Sequence, residues 1–233
     1  MKNTLLILFI FTAFRANTQN GSYFDSGFLF GVTTYSGDLT ESIIDPKEIL
    51  PGFGAYVRYN FNTKFKLRVH GYAGSIGGDD SHSEALKGRY FRFSTNIVEV
   101  GLVAEYHPWG RERFSKTGLH SFRVSPYIFG GPGITFADPE TEYYGPAELR
   151  NDILKVPLPE EGLQKRFLLA PIGVGINFDV FDYLIIGVEG GWRPVFSDDL
   201  DGVKVNGNPN NPDWYYFAGT TISFILGKPR HRK

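Results

Sequence analysis

The chain has 233 residues, 24 basic and 25 acidic side chains, a formal charge of −1, 42% apolar residues and no cysteine. These counts exclude a disulfide scaffold and a thiolate metal site, and they leave no basic excess to draw the whole molecule to nucleic acid. The 28 glycines, 21 Phe and 13 Tyr beside a single Met favour sheet with tight turns over helix bundles.

The first segment reads as an address. Lys2 precedes a short apolar run, Leu5 to Phe11, and the polar stretch Arg15-Ala16-Asn17-Thr18-Gln19 follows it. This is the basic, apolar, cleavable order of a secretory signal, and about ten apolar residues are half of what a membrane-spanning helix needs. Ala16 and Thr18 stand at the −3 and −1 positions for cleavage before Gln19, so residues 1–18 are the expected signal peptide and 19–233 the exported domain. The alternative is a buried N-terminal strand.

No later stretch reaches helical span length without a charge or glycine, so an exported chain of this composition is either soluble or a β-barrel. Along 53–61, Phe53, Ala55, Val57, Tyr59 and Phe61 alternate with Gly54, Tyr56, Arg58 and Asn60. The same split recurs along 65–74, where Phe65, Leu67, Val69 and Ala73 oppose Lys66, Arg68, His70 and Tyr72. Along 93–106, Val98, Val100, Leu102, Ala104 and Tyr106 oppose Glu99, Gly101 and Glu105. Residues 167–178 and 183–193 repeat the pattern, the latter with Glu189 and Arg193 on its polar face. Segments 27–36, 122–136 and 214–226 complete eight strands of dyad repeat.

Odd-numbered connections are long and even-numbered ones shorter, as in an outer-membrane barrel with short periplasmic turns. The fourth, His107 to Ser121, is the exception. Aromatics gather near strand ends, where interfacial girdles lie: Phe61, Phe65, Tyr90, Phe91, Tyr106, Trp109, Phe178, Phe181, Tyr183, Trp192, Trp214 and Tyr215. A soluble eight-stranded barrel or sandwich would share the alternation, but with the apolar face inward. The expected fold is therefore all-β, an eight-stranded antiparallel transmembrane β-barrel of the outer-membrane type. Its lumen should carry Arg58, Lys66, Arg68, His70, Glu99, Glu105, Glu189 and Arg193, interlocked as ion pairs because an unpaired buried charge is costly.

Candidate chemistry elsewhere is weak. Asp79, Asp80, His82 and Glu84 follow Gly77-Gly78 and read as a solvated turn rather than a catalytic or metal site. Asp198, Asp199 and Asp201 precede Gly202, but Asn208 stands where a calcium loop needs glutamate, so this too reads as a polar loop. Gly130-Gly131-Pro132-Gly133 reads as a bend near the barrel rim. No cofactor is expected.

Several stretches together resemble one family: Gly31-Val32-Thr33-Thr34-Tyr35-Ser36-Gly37-Asp38-Leu39, residues 51–67 (PGFGAYVRYNFNTKFKL), Gly77-Gly78-Asp79-Asp80, Ser94-Thr95-Asn96-Ile97, Pro126 to Gly131, Gly207-Asn208-Pro209 and Asp213 to Gly219. The chain is similar to the Bacteroidetes outer-membrane barrel family DUF6089, which includes the PorG barrel subunit of the type IX secretion system. Residues 198–202 depart from the family, which more often has an aromatic, a leucine and a paired acid there. The resemblance implies a non-enzymatic subunit in the outer-membrane lipid of a Bacteroidetes-type bacterium, associated with the periplasmic ring proteins of that machine. A ring partner would have to meet the periplasmic face, where only 107–121 is long enough to project, with Trp109, Arg111, Arg113 and Phe114 as candidate contacts. The alternative from another class is a free-standing barrel that passes or binds small solutes.

Overall fold

The computed structural model describes residues 22–37, 46–82, 86–113, 120–158, 162, 164–197, 199–203, 206 and 213–226. The expected signal peptide lies outside the described residues, as do Phe114, Glu84, Asp198 and Asn208. Ten antiparallel strands follow one another: β1 (Tyr23–Ser36), β2 (Leu50–Asn60), β3 (Phe65–Asp79), β4 (Phe91–Tyr106), β5 (Arg123–Gly130), β6 (Gly133–Tyr143), β7 (Arg166–Leu169), β8 (Ile172–Asp179), β9 (Leu184–Pro194) and β10 (Trp214–Leu226). β1 pairs with both β2 and β10, and β3 with β4, so the sheet closes on itself and leaves no free edge around the ring.

The ten strands form eight staves. Gly130 faces Ala104 and Gly133 faces Gly101, so β5 and β6 continue one another along β4 without a slip. Across the next seam Gly130 faces Ile172 and Gly133 faces Leu169, which makes β7 and β8 one stave as well. The breaks fall at Pro132 and Pro171, which have no N–H to give to a ladder. The remaining groups hold the wall together: Leu102 N–H donates to the Pro132 carbonyl (3.0 Å) and Gly131 N–H to the Pro171 carbonyl (3.1 Å). A Cβ on Gly131 would strike the Leu102 carbonyl. The glycine-rich stretch thus lies midway along its stave, not at the rim, and serves close backbone approach.

Alternation places the core. Every second residue of β4 from Phe91 to Glu105 is buried and every other one exposed. The outward residues are apolar from Val98 to Tyr106 on β4, and from Leu168 to Phe178 along β7 and β8, with Phe28, Phe53, Val57 and Val69 among the exposed side chains elsewhere. Each run matches the roughly 9–11 residues of a tilted membrane strand. Arginines and carboxylates fill the inside, so the barrel is inverted relative to a soluble one, as an outer-membrane barrel is. No described helix is long and apolar enough to cross a membrane. The helical pieces are short: 3-10 turns at Pro46–Glu48, Asp80–His82 and Ala147–Leu149, and α1 (Arg150–Ile153).

An aromatic ring marks the end that carries the short turns. Phe24 packs on Tyr59 and Tyr59 on Phe61 (both 4.7 Å between ring centres), Phe65 on Tyr106 (5.1 Å) and Phe181 on Tyr183 (5.8 Å). Two residues assigned to the girdles by sequence belong elsewhere: Phe91 and Tyr215 are buried inside the opposite end, because both fall on the inward parity of their strands. The staves also outrun their repeats. β3 reaches Asp79 and β6 reaches Tyr143, since polar outward residues above the apolar belt end the alternation signal without ending the ladder.

The long connections leave the end opposite the aromatic ring, and loop-length asymmetry assigns them to the extracellular side. A Glu148→Cys variant should label with a membrane-impermeant maleimide on intact cells, and Asp182→Cys only after outer-membrane permeabilisation. The reverse result would invert the topology.

Candidate functional site

Inward positions bring charges from distant staves into one chain. Asp25 and Arg58 face each other across β1 and β2, and the guanidinium meets both carboxylate oxygens, Nη2 to Oδ1 at 3.0 Å and Nε to Oδ2 at 3.2 Å. Arg58 Nη1 also reaches Glu105 Oε2 on β4 (3.0 Å), and Asn60 donates to Asp25 (2.7 Å). Arg68 bridges Glu105 and Glu189, with Nη1 on Glu189 Oε2 at 2.7 Å; its Nε lies 3.2 Å from Glu105 Oε1 as a charge contact outside hydrogen-bond geometry. Tyr127 donates to Glu189 (2.7 Å), and the His107 ring stacks on Tyr127 while its nitrogens meet Ser125 Oγ (2.8 Å) and Glu105 Oε2 (3.2 Å). Arg58 and Arg68 are each 1% exposed, and both guanidiniums lie against the Tyr56 ring.

A second cluster sits further from the short-turn end along the same staves, β3, β4 and β9, joined by β10. Glu99 accepts from Tyr215 (2.5 Å), contacts His70 Nε2 (2.7 Å) and lies 3.5 Å from Arg193 Nε, whose guanidinium stacks over Phe217. Gly101 leaves the space for the His70 ring. Of the eight lumenal residues expected from sequence, seven therefore meet partners. Lys66 stands opposite Glu105 in register but is only half-buried and makes no ion pair among the described residues. The expected set also lacked four members the geometry supplies: Asp25, His107, Tyr127 and Tyr215. Continuing the inward parity of β1 two residues upstream of Gly27, and that of β4 past Glu105, would have found Asp25 and His107.

Above the ionic layer, the last long loop folds back into the mouth. Val195, Leu200 and Val203 are buried against Tyr35, Ile76, Phe93, Ile97 and Phe167, with Ile153, Leu154 and Leu158 packed on the outside. The Tyr35 hydroxyl lies within hydrogen-bond reach of both Asp201 Oδ2 (2.8 Å) and Asp213 Oδ1 (2.5 Å), Thr95 donates to the Leu200 carbonyl (3.1 Å), and Thr141 to the Asp201 carbonyl (2.5 Å). Asp213 Oδ2 accepts the Leu200 N–H (2.9 Å), and Asn206 is bonded to the backbone of Lys155 and Val156. The acids here are thus plug hardware rather than a solvated loop. The same holds at the tip of β3: Asp79 takes Arg92 (2.6 Å) and Tyr144, Asp80 takes Arg89 (2.8 Å) and the Phe91 N–H, and His82 pairs with Glu48. Burial pushes the Asp80 carboxyl up, against the pull of Arg89 and Phe91. No group of three potential metal ligands occurs among the described residues.

The end with the short turns is built differently. Arg113 was expected as an exposed contact, but it is 8% exposed. Its Nε lies 3.2 Å from Asp179 Oδ2, its Nη2 donates to the Phe181 carbonyl (3.1 Å) and its guanidinium covers the Tyr23 ring, so Arg113 is clamped to the end of the barrel. Trp109 (63% exposed), Arg111 and Phe122 (63%) are exposed.

The family model described as Domain of unknown function (DUF6089) matches residues 2–231. No curated protein matches the chain. Among solved structures it is similar to the outer-membrane protein OprG of Pseudomonas aeruginosa, at 11% identity and a TM-score of 0.48, over 88% of this chain and 96% of that one. It is also similar to the N-terminal β-barrel domain of Pseudomonas aeruginosa OprF (11%, TM-score 0.43, 89% and 98%) and to Neisserial surface protein A (12%, TM-score 0.43, 87% and 97%).

Proposed function

We propose that this chain, which belongs to the DUF6089 family, is a non-enzymatic outer-membrane barrel subunit of the type IX protein secretion system that engages the periplasmic ring of the machine. The reading comes from the family resemblance to the PorG barrel. The observation that carries it is the build of the periplasmic end. A barrel needs two or three residues to turn there, yet this chain spends the segment from His107 to Ser121, staples it with Arg113 and leaves an indole and a guanidinium facing the periplasm. Tryptophan and arginine are the side chains most often dominant at interfaces. A lumen crossed by ion pairs and a plugged mouth suit a scaffold better than a conduit.

The periplasmic contact assigned here consists of Trp109 and Arg111, with Arg113 holding the turn in place. A Trp109→Ala/Arg111→Ala variant should insert normally and remain heat-modifiable on gels while recovering about tenfold less ring protein in pulldowns from solubilised outer membranes. Undiminished recovery would remove the docking role from this turn. If the unaltered protein brings down no ring component, the secretion reading itself fails and a free-standing barrel takes its place.

A further inference from the structure

Among the described residues, outward-facing charges on the staves are confined to one sector, the upper ends of β3, β4, β6 and β7. Two of the three cations there are engaged by carboxylates. Arg92 holds Asp79 at 2.6 Å and Lys165, just ahead of β7, holds Asp138 at 2.7 Å. Arg166 is the third. It is exposed, its guanidinium lies over the Phe136 ring (5.9 Å), and it takes no carboxylate among the described residues.

Its position along the stave sets its surroundings. Arg166 is the first outward residue above the apolar run from Leu168 to Phe178, a run that fills the hydrocarbon layer, so the guanidinium stands at headgroup level. Directly beneath it are two of the most exposed apolar side chains of the barrel, Leu168 (65%) and Phe196 (71%). They lie on adjoining backbones, since Phe196 N–H donates to the Leu168 carbonyl at 3.0 Å. Phe136 flanks the same patch, opposite Arg166 in the ladder.

We infer that Arg166, Leu168, Phe136 and Phe196 form a binding site for a phosphate-bearing lipid of the extracellular leaflet. The guanidinium takes the headgroup phosphate and the apolar patch takes an acyl chain. Arg166 is suited to this because a planar fork of donors matches a phosphate bidentately, and a lipid-facing charge that takes no carboxylate among the described residues draws its counter-ion from the headgroup layer. Lys165 is already paired and contributes long-range attraction only. The inference is independent of the secretion reading, since it requires only that the barrel sit in a membrane with its long-loop end extracellular.

The test is native mass spectrometry of the detergent-released full chain, incubated with a lipid A-type diphosphorylated lipid, its enzymatically dephosphorylated counterpart, or inorganic phosphate. The unaltered barrel should retain the phosphorylated lipid as a discrete adduct and lose about tenfold in retention with the dephosphorylated form. Arg166→Gln should lose about as much, Arg166→Lys should restore part of it, and Lys165→Gln should change it by less than about twofold. Each variant is checked for heat-modifiability, so a folding defect is not mistaken for lost binding. Equal retention by Arg166→Gln, or equal retention of the dephosphorylated lipid, would overturn the site. Displacement of the lipid by millimolar inorganic phosphate would also overturn it, because the site would then be one for the free anion.

Discussion

Glu105→Ala should destabilise the barrel by about 3–5 kcal/mol, enough that much of the protein fails to insert. Glu105 is the one carboxylate that both central arginines share, at 3.0 Å from Arg58 and 3.2 Å from Arg68, and it also meets His107. Removing it leaves Arg58 with Asp25 and Arg68 with Glu189, but takes from each guanidinium its second anionic neighbour in a layer where both side chains are only 1% exposed. Glu105→Gln keeps the volume and loses only the charge, so its cost isolates the electrostatic part. Urea unfolding from lipid vesicles, followed by tryptophan fluorescence, gives both numbers. As a contrast, Glu142 is exposed and 3.7 Å from Arg92, and its replacement by alanine should change stability by no more than about 0.5 kcal/mol. Similar costs for Glu105 and Glu142 would mean that the lumen is hydrated and the ion pairs are screened.

The second large effect concerns the plug. Leu200 is fully buried in the mouth, where it packs among Tyr35, Phe93 and Ile97. Leu200→Asp sets an unpaired carboxylate among these rings, a penalty of several kcal/mol that the loop escapes by swinging out. The expected outcome is a barrel that still shifts on heating but whose segment 195–203 becomes sensitive to protease added to intact cells, with hydrogen exchange there faster by two orders of magnitude or more, on the order of 3 kcal/mol of lost protection. Conductance in planar bilayers should nevertheless stay closed, because the ionic layer below the plug is untouched. Steady large openings in the unaltered protein would favour the solute-passing alternative. Openings only after Leu200→Asp would show that the plug alone is the barrier.

The membrane barrel was legible because two-residue periodicity is strong wherever one face meets lipid and the other a charged interior. Arg58, Arg68, Glu99, Glu105 and Glu189 all fall on the inward parity of unmistakable repeats. Legibility stopped where that contrast stopped. Asp25 stands at the very start of β1, where Ser26 and Gly27 blur the alternation that Phe24 begins, and His107 one step past the last apolar outward residue, Tyr106. The acids at 79–80 and 199–201 looked solvated because turn-like composition says nothing about a loop that folds inward onto tyrosine hydroxyls and arginines. Arg113 looked like a free anchor for the same reason: its partner Asp179 is distant in sequence and meets it only in the closed barrel.

The ionic chain also constrains how the protein reaches the membrane. Its links run from the first stave to the second (Asp25 to Arg58), from there to the fourth (Glu105), back to the third (Arg68) and across to the seventh (Glu189). A hairpin made of the second and third staves alone would carry Arg58 and Arg68 into hydrocarbon side by side with no carboxylate between them. Stepwise entry, one hairpin after another, is therefore uphill until the seventh stave has arrived. Insertion should proceed instead as a late, concerted event of a nearly closed cylinder. Until that moment the chain must be kept unaggregated in the periplasm with its lipid-facing side chains exposed, and its folding rate should depend more steeply on the availability of periplasmic holding factors than that of a barrel whose charges pair between neighbouring staves.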